Sequence, residues 1–89
     1  MNTARATKRT WPDGTRHRGR LIDTSLVRAA GGLHRVQVVE DLDARHEGHV
    51  LMGNECCDAA ARPGDEGTLT MVHDKRAPLG AYWKFARDA

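Results

Sequence analysis

Only fifteen of the 89 residues of this chain are Leu, Ile, Val or Phe, about one residue in six. Twelve more of its apolar residues are Ala, so an apolar content of 39% overstates what can be buried. Below about 20% bulky residues, disorder competes with folding when the net charge is also high. Here the net charge is only +2, and the aliphatic residues are gathered into strand-length runs. The expectation is one folded domain with a thin core, marginal alone and helped by a partner or by a homodimer.

The runs have strand character. Residues 1–10 are polar and basic without periodicity and read as a flexible basic arm, leaving 11–89 as a single small domain. Pro12-Asp13-Gly14 is turn chemistry, predicting a hairpin that joins Trp11 to Thr15. The piece resembles one MORN repeat, in which an aromatic, an Asp-Gly turn and a later Gly recur in hairpins. No second copy follows, and the likeness implies hairpin chemistry only. From Arg16 onward Arg16, Arg18 and Arg20 alternate with His17, Gly19 and Leu21, a strand with one arginine face.

Residues 23–32 fit either a helical turn capped by Asp23 or Thr24 or the continuation of a long hairpin. In "LHRVQVVE" the pattern puts Val36 and Val38 inward and Arg35 and Gln37 outward, and "GHVLMG" reads as a further strand. Asn54 as a cap, three alanines and a terminating Pro63 predict one or two helical turns. Leu69, Met71 and His73 then alternate against Thr68, Thr70 and Val72. The last strand sets Ala81, Trp83 and Phe85 against Tyr82 and Lys84. Three strands, a short helix and two strands make a mainly β fold: a small five-stranded β-barrel, OB-like, with an SH3-like barrel as the runner-up.

Function is argued from charge. Residues 1–20 carry a net charge of +5, residues 21–74 carry −6 and residues 75–89 carry +3. In a small barrel the first strand lies near the end of the chain, which merges the two basic ends into one face suited to phosphates. The expected function is a non-catalytic nucleic-acid-binding module, for DNA or RNA. Its contacts are Arg16, Arg18, Arg20 and Arg35 on strands, Lys75 and Arg76 in the last loop, Lys84, and Tyr82 as a stacking ring. The alternative is a protein-interaction adaptor or accessory subunit, its arginines serving as a solvated strand face.

Other chemistry finds little support. Cys56 and Cys57 are adjacent, which precludes a disulfide framework within one chain, and with His46, His49 and His73 they lack the spacing of a zinc site. No cofactor or metal is expected. Ser25 is the only serine and has no nucleophile elbow, and "EDLDARHEG" lacks the spacing of a calcium loop, so no enzyme is expected. No run approaches the roughly 20 apolar residues of a membrane span, and the N-terminus shows no signal-peptide pattern, so a cytoplasmic location is the default.

Overall fold

A computed structural model describes residues 11–43, 49–52 and 56–88, with backbone alone for 49–52. Five strands, β1 (Arg16–Ala29), β2 (Gly32–Asp41), β3 (His49–Met52), β4 (Glu66–His73) and β5 (Ala81–Arg87), form one sheet in the order β3-β2-β1-β4-β5. Every pairing is antiparallel. β1 organises the sheet. Its first part pairs with β4 over Arg16–Arg20, and its length from Gly19 pairs with β2, with a bulge between Leu21 and Asp23 that bends the strand.

The hairpin alternative for residues 23–32 is the one adopted. β1 continues to Ala29 and turns through Ala30 and Gly31, with Gly31 and Gly32 at φ 90° and 114°, a region open to glycine at little cost. Gly14 likewise takes φ 87° in the Pro12–Thr15 turn, where the Thr15 N–H and hydroxyl both donate to the Pro12 carbonyl. The expected Trp11–Thr15 hairpin does not form, because this turn docks on β4 instead. Gly14 N–H donates to the Met71 carbonyl at 2.8 Å, Met71 N–H donates to the Thr15 carbonyl, and His73 N–H donates to the Asp13 carboxylate.

One face of the sheet holds the core: Leu21, Val39, Leu69, Met71, Ala81, Trp83 and Phe85, with Ala61 from the connection before β4. The alternations of β1 and β5 run as the sequence predicts. In β2 the phase is reversed. Gln37, Val39 and Asp41 are buried, while Val36 and Val38 are half-buried on the opposite face. Both phases of "VQVV" contain a valine, so hydropathy does not select one. Gln37 can go inside because its amide is fully bonded there: Nε2 donates to the Asp58 carbonyl at 2.8 Å and Oε1 accepts from Asp58 N–H at 3.1 Å. His73, also expected inward, is exposed, and its Nε2 donates to the Trp11 carbonyl at 2.7 Å.

The predicted helix after Asn54 is absent among the described residues, where Cys56 alone has 3₁₀ geometry. Asp58 explains this. Its side chain accepts from Ala60 N–H and Arg87 N–H, its carbonyl from Ala61 N–H and Gln37, and its own N–H goes to Gln37. These anchors hold the segment in turns and override the alanine propensity. The same residue sits on the open side of the sheet. Asp58 Oδ2 takes Arg87 N–H on the outer edge of β5, and β3 is only four residues long. Among the described residues β3 and β5 form no ladder, and the five strands are not closed into a barrel.

At Gly67 the backbone of β5 near Arg87, its ladder partner, closely approaches β4. A Cβ there would stand 2.6 Å from Arg87 Cα and 2.8 Å from the Ala86 carbonyl carbon, all backbone. At Gly19 it would meet only side chains, Val39 at 3.0 Å and Leu69 at 3.2 Å. Gly67→Ala should lower stability by about 1–3 kcal/mol, as overpacking against groups that cannot rotate away does. Gly19→Ala should cost distinctly less in the same urea titration, and equal losses would contradict the close approach.

Candidate nucleic-acid interface

Opposite the core, the outer face of β1 presents the arginine row, and sheet register decides what each arginine meets. Arg16 lies across Thr70 of β4 from Lys84 of β5, so one row runs Arg16, Thr70, Lys84. Arg16 and Lys84 are exposed, and neither forms an ion pair among the described residues. Arg18, one row on, is held by Asp88 at 2.9 and 3.3 Å and by Glu66 at 3.2 Å. These bonds, Asp88 first, raise the guanidinium further above its ordinary value. Arg20 is bound by Glu40 across the β1–β2 ladder at 3.0 Å.

Two of the three row arginines are therefore neutralised by carboxylates from β2, β4 and the end of the chain. Segment charges could not reveal this. Glu40 and Glu66 belong to the acidic middle of the sequence, yet the sheet sets them on either side of β1.

The bond to Arg18 chiefly holds the Asp88 carboxyl below the ordinary carboxylate value, against an opposing push from burial and with a smaller contribution from the charge of that guanidinium. The folded state is favoured by this contact above the unfolded value of about 3.9 and loses it as pH falls through the lower folded value. Carbon-detected NMR should find Asp88 titrating below its value in an Arg18→Ala chain, and coincident curves would show that the contact is absent.

The remaining site residues divide between two places. Tyr82, half-buried, points to the same outer face as Lys84 two residues on. It lines an open groove of about 580 Å³ with Cys56, Asp74, Arg76, Ala77, Pro78, Leu79 and Ala81. Lys75 and Arg76 are exposed in the β4–β5 turn beside it. Asp74 tempers Arg76. Its carboxylate accepts from Arg76 N–H at 2.9 Å and Nε at 3.4 Å and is held below its ordinary value chiefly by that backbone bond. Arg35 stands apart, on the face continuous with the core, where Nη1 donates to the Thr24 hydroxyl at 3.2 Å. Sequence reasoning missed the groove walls Pro78 and Leu79, whose only signal was turn composition.

Buried polar chemistry lies on the core side. His17 Nδ1 and Asp41 Oδ2 are 2.8 Å apart, and both side chains are nearly inaccessible. The imidazole meets Trp11 edge-on at 4.6 Å and Trp83 at 5.0 Å. Its geometry is that of a core polar pair. Cys56 and Cys57 are half-buried and pack on the core. Burial, then the neighbouring Cys56, pushes the Cys57 thiol up and away from reactivity.

Among the described residues no three His, Cys, Asp or Glu side chains converge as metal ligands. His46 and the side chain of His49 lie outside them, as do residues 1–10. No helix among the described residues is long and apolar enough to cross a membrane. Compared with known proteins, the chain matches no family model, no curated protein and no solved structure.

Proposed function

We propose that the domain is a non-catalytic nucleic-acid-binding module whose contact surface is the outer face at the start of β5. The observation that carries this reading is the row of Arg16 and Lys84, two exposed cations across Thr70 without a carboxylate partner among the described residues, with Tyr82 beside them. Lys75 and Arg76 extend the positive surface from the adjoining turn. A strand's phosphates would lie along these cations while one base stacks on Tyr82. Arg18 and Arg20 serve the sheet, and Arg35 lies on the other face.

The strand order supports the same reading by analogy. β1 shared between β2 and β4, with β5 outside β4, is the order of an OB-type barrel opened between β3 and β5. In that class the β1–β2 and β4–β5 loops border the oligonucleotide surface, and here the second of these carries Lys75 and Arg76. An adaptor function would draw instead on the β1–β2 hairpin, for which a different occupant is inferred below.

The test compares a double charge reversal with a double charge removal. Arg16→Glu with Lys84→Glu should weaken binding of a labelled single-stranded oligonucleotide by about tenfold or more, because two phosphate contacts become repulsive. Arg18→Ala with Arg20→Ala should change it less. Equal losses, or none from the first pair, would sink the assignment.

A further inference from the structure

The β1–β2 hairpin outruns its neighbours. β4 pairs with β1 only over Arg16–Arg20, and β3 pairs with β2 only over Gln37–Glu40. Past the bulge, Asp23–Ala29 and Gly32–Val36 thus form a two-stranded ribbon whose edges carry no third strand among the described residues. This ribbon and its base expose Ile22 at 43%, Leu26 at 55%, Val27 at 42% and Leu33 at 56%, four of the five exposed large apolar side chains among the described residues. A two-stranded ribbon is marginal in water, and an apolar free edge is a template for another strand.

We propose that this ribbon is the interface of a homodimer: two copies pair antiparallel along the free edge of β1, with Leu26 of each on the two-fold axis. The side chains choose both the occupant and the register. Thr24, Leu26 and Arg28 share one face, since they stand opposite Gln37, Arg35 and Leu33 of β2. Pairing β1 with itself about Leu26 places leucine against leucine, Ser25 against Val27, Thr24 against Arg28 and Asp23 against Ala29.

In that register no two charged residues of the paired β1 strands stand directly opposite each other. Leu33 lies diagonal to Leu26 across the hairpin, so the two copies together gather four leucines on one face. A slip of two residues in either direction sets Leu26 against Arg28 or Thr24 and dissolves that patch. The contact is isologous and uses up the edge it needs, so it closes at two copies.

Light scattering on the full chain after gel filtration should give twice the 9.8 kDa chain mass. Leu26→Glu, which sets two carboxylates against each other on the axis, should give the single-chain mass with tryptophan fluorescence unchanged. Leu42→Glu, at an exposed apolar position off the ribbon, should remain dimeric. Leu26→Cys reads the register independently. Mild oxidation should link it into a dimer on a non-reducing gel, whereas the parent, whose thiols are half-buried, should not link. A parent that stays monomeric at millimolar concentration, or a dimer that survives Leu26→Glu, overturns the proposal. Neither result bears on Arg16, Lys84 and Tyr82, which lie off the ribbon.

Discussion

Asp41→Ala should cost the domain about 3–5 kcal/mol, the usual loss when one partner of a buried pair is removed. The Asp41 side chain is 5% exposed and accepts from His17 Nδ1 at 2.8 Å and from Asp43 N–H at 3.0 Å. Without it an imidazole is left between Trp11 and Trp83, shut away from water and lacking its acceptor. A domain of this size holds roughly 5–10 kcal/mol in all, so about a third or more of the stability is at stake. Replacing both residues, His17→Leu with Asp41→Leu, removes the polar demand together with its answer and should recover most of the loss. Urea midpoints for the three chains decide this. A cost below about 1 kcal/mol for Asp41→Ala would mean that solvent replaces the carboxylate and that the pair is not sealed.

Gln37→Ala is the second large effect, expected at about 3 kcal/mol from lost packing and from the stranded Asp58 N–H, since the Asp58 carbonyl keeps Ala61 N–H. Gln37 is fully buried and bonds both the N–H and the carbonyl of Asp58. Asp58 in turn holds Ala60 N–H and Arg87 N–H, so one side chain ties β2 to the connection before β4 and, through it, to the edge of β5. The loss should therefore spread. Hydrogen exchange should speed up at Asp58, Ala60 and Arg87 in the variant, even under conditions where Leu21 and Leu69 remain protected. Faster exchange at Asp58 alone would contradict the connected arrangement.

How much of this could be read in the residues depends on how local each determinant is. The arginine face of β1 and the Trp83–Phe85 face of β5 follow from period-two alternation, because each strand has one phase with the bulk and one without. β2 lacked that asymmetry. Valine occurs in both phases, and a buried glutamine was acceptable only because Asp58, 21 residues away, completes its bonds. The alanine-rich stretch read as helix for a related reason, since Asp58, which holds Ala60 and Ala61 N–H in turns, is itself fixed by the distant Gln37 and Arg87. The basic row was legible as a row, but its neutralisation was not. Glu40, Glu66 and Asp88 reach Arg18 and Arg20 through strand pairing, which segment composition does not encode. What survives as a candidate contact surface is the part where register brings cations together without acids.

The most direct test of the nucleic-acid reading is a fluorescence anisotropy titration of the nuclease-treated protein with labelled single-stranded and double-stranded DNA and RNA at a series of salt concentrations. Three or four phosphate contacts to a single strand predict a log–log salt slope of about −2 to −3. That slope should flatten when Arg16 and Lys84 are both replaced by Ala and should hold when Arg18 and Arg20 are. Absence of binding to every probe at low salt, or binding indifferent to salt and to Arg16 and Lys84, would contradict the account.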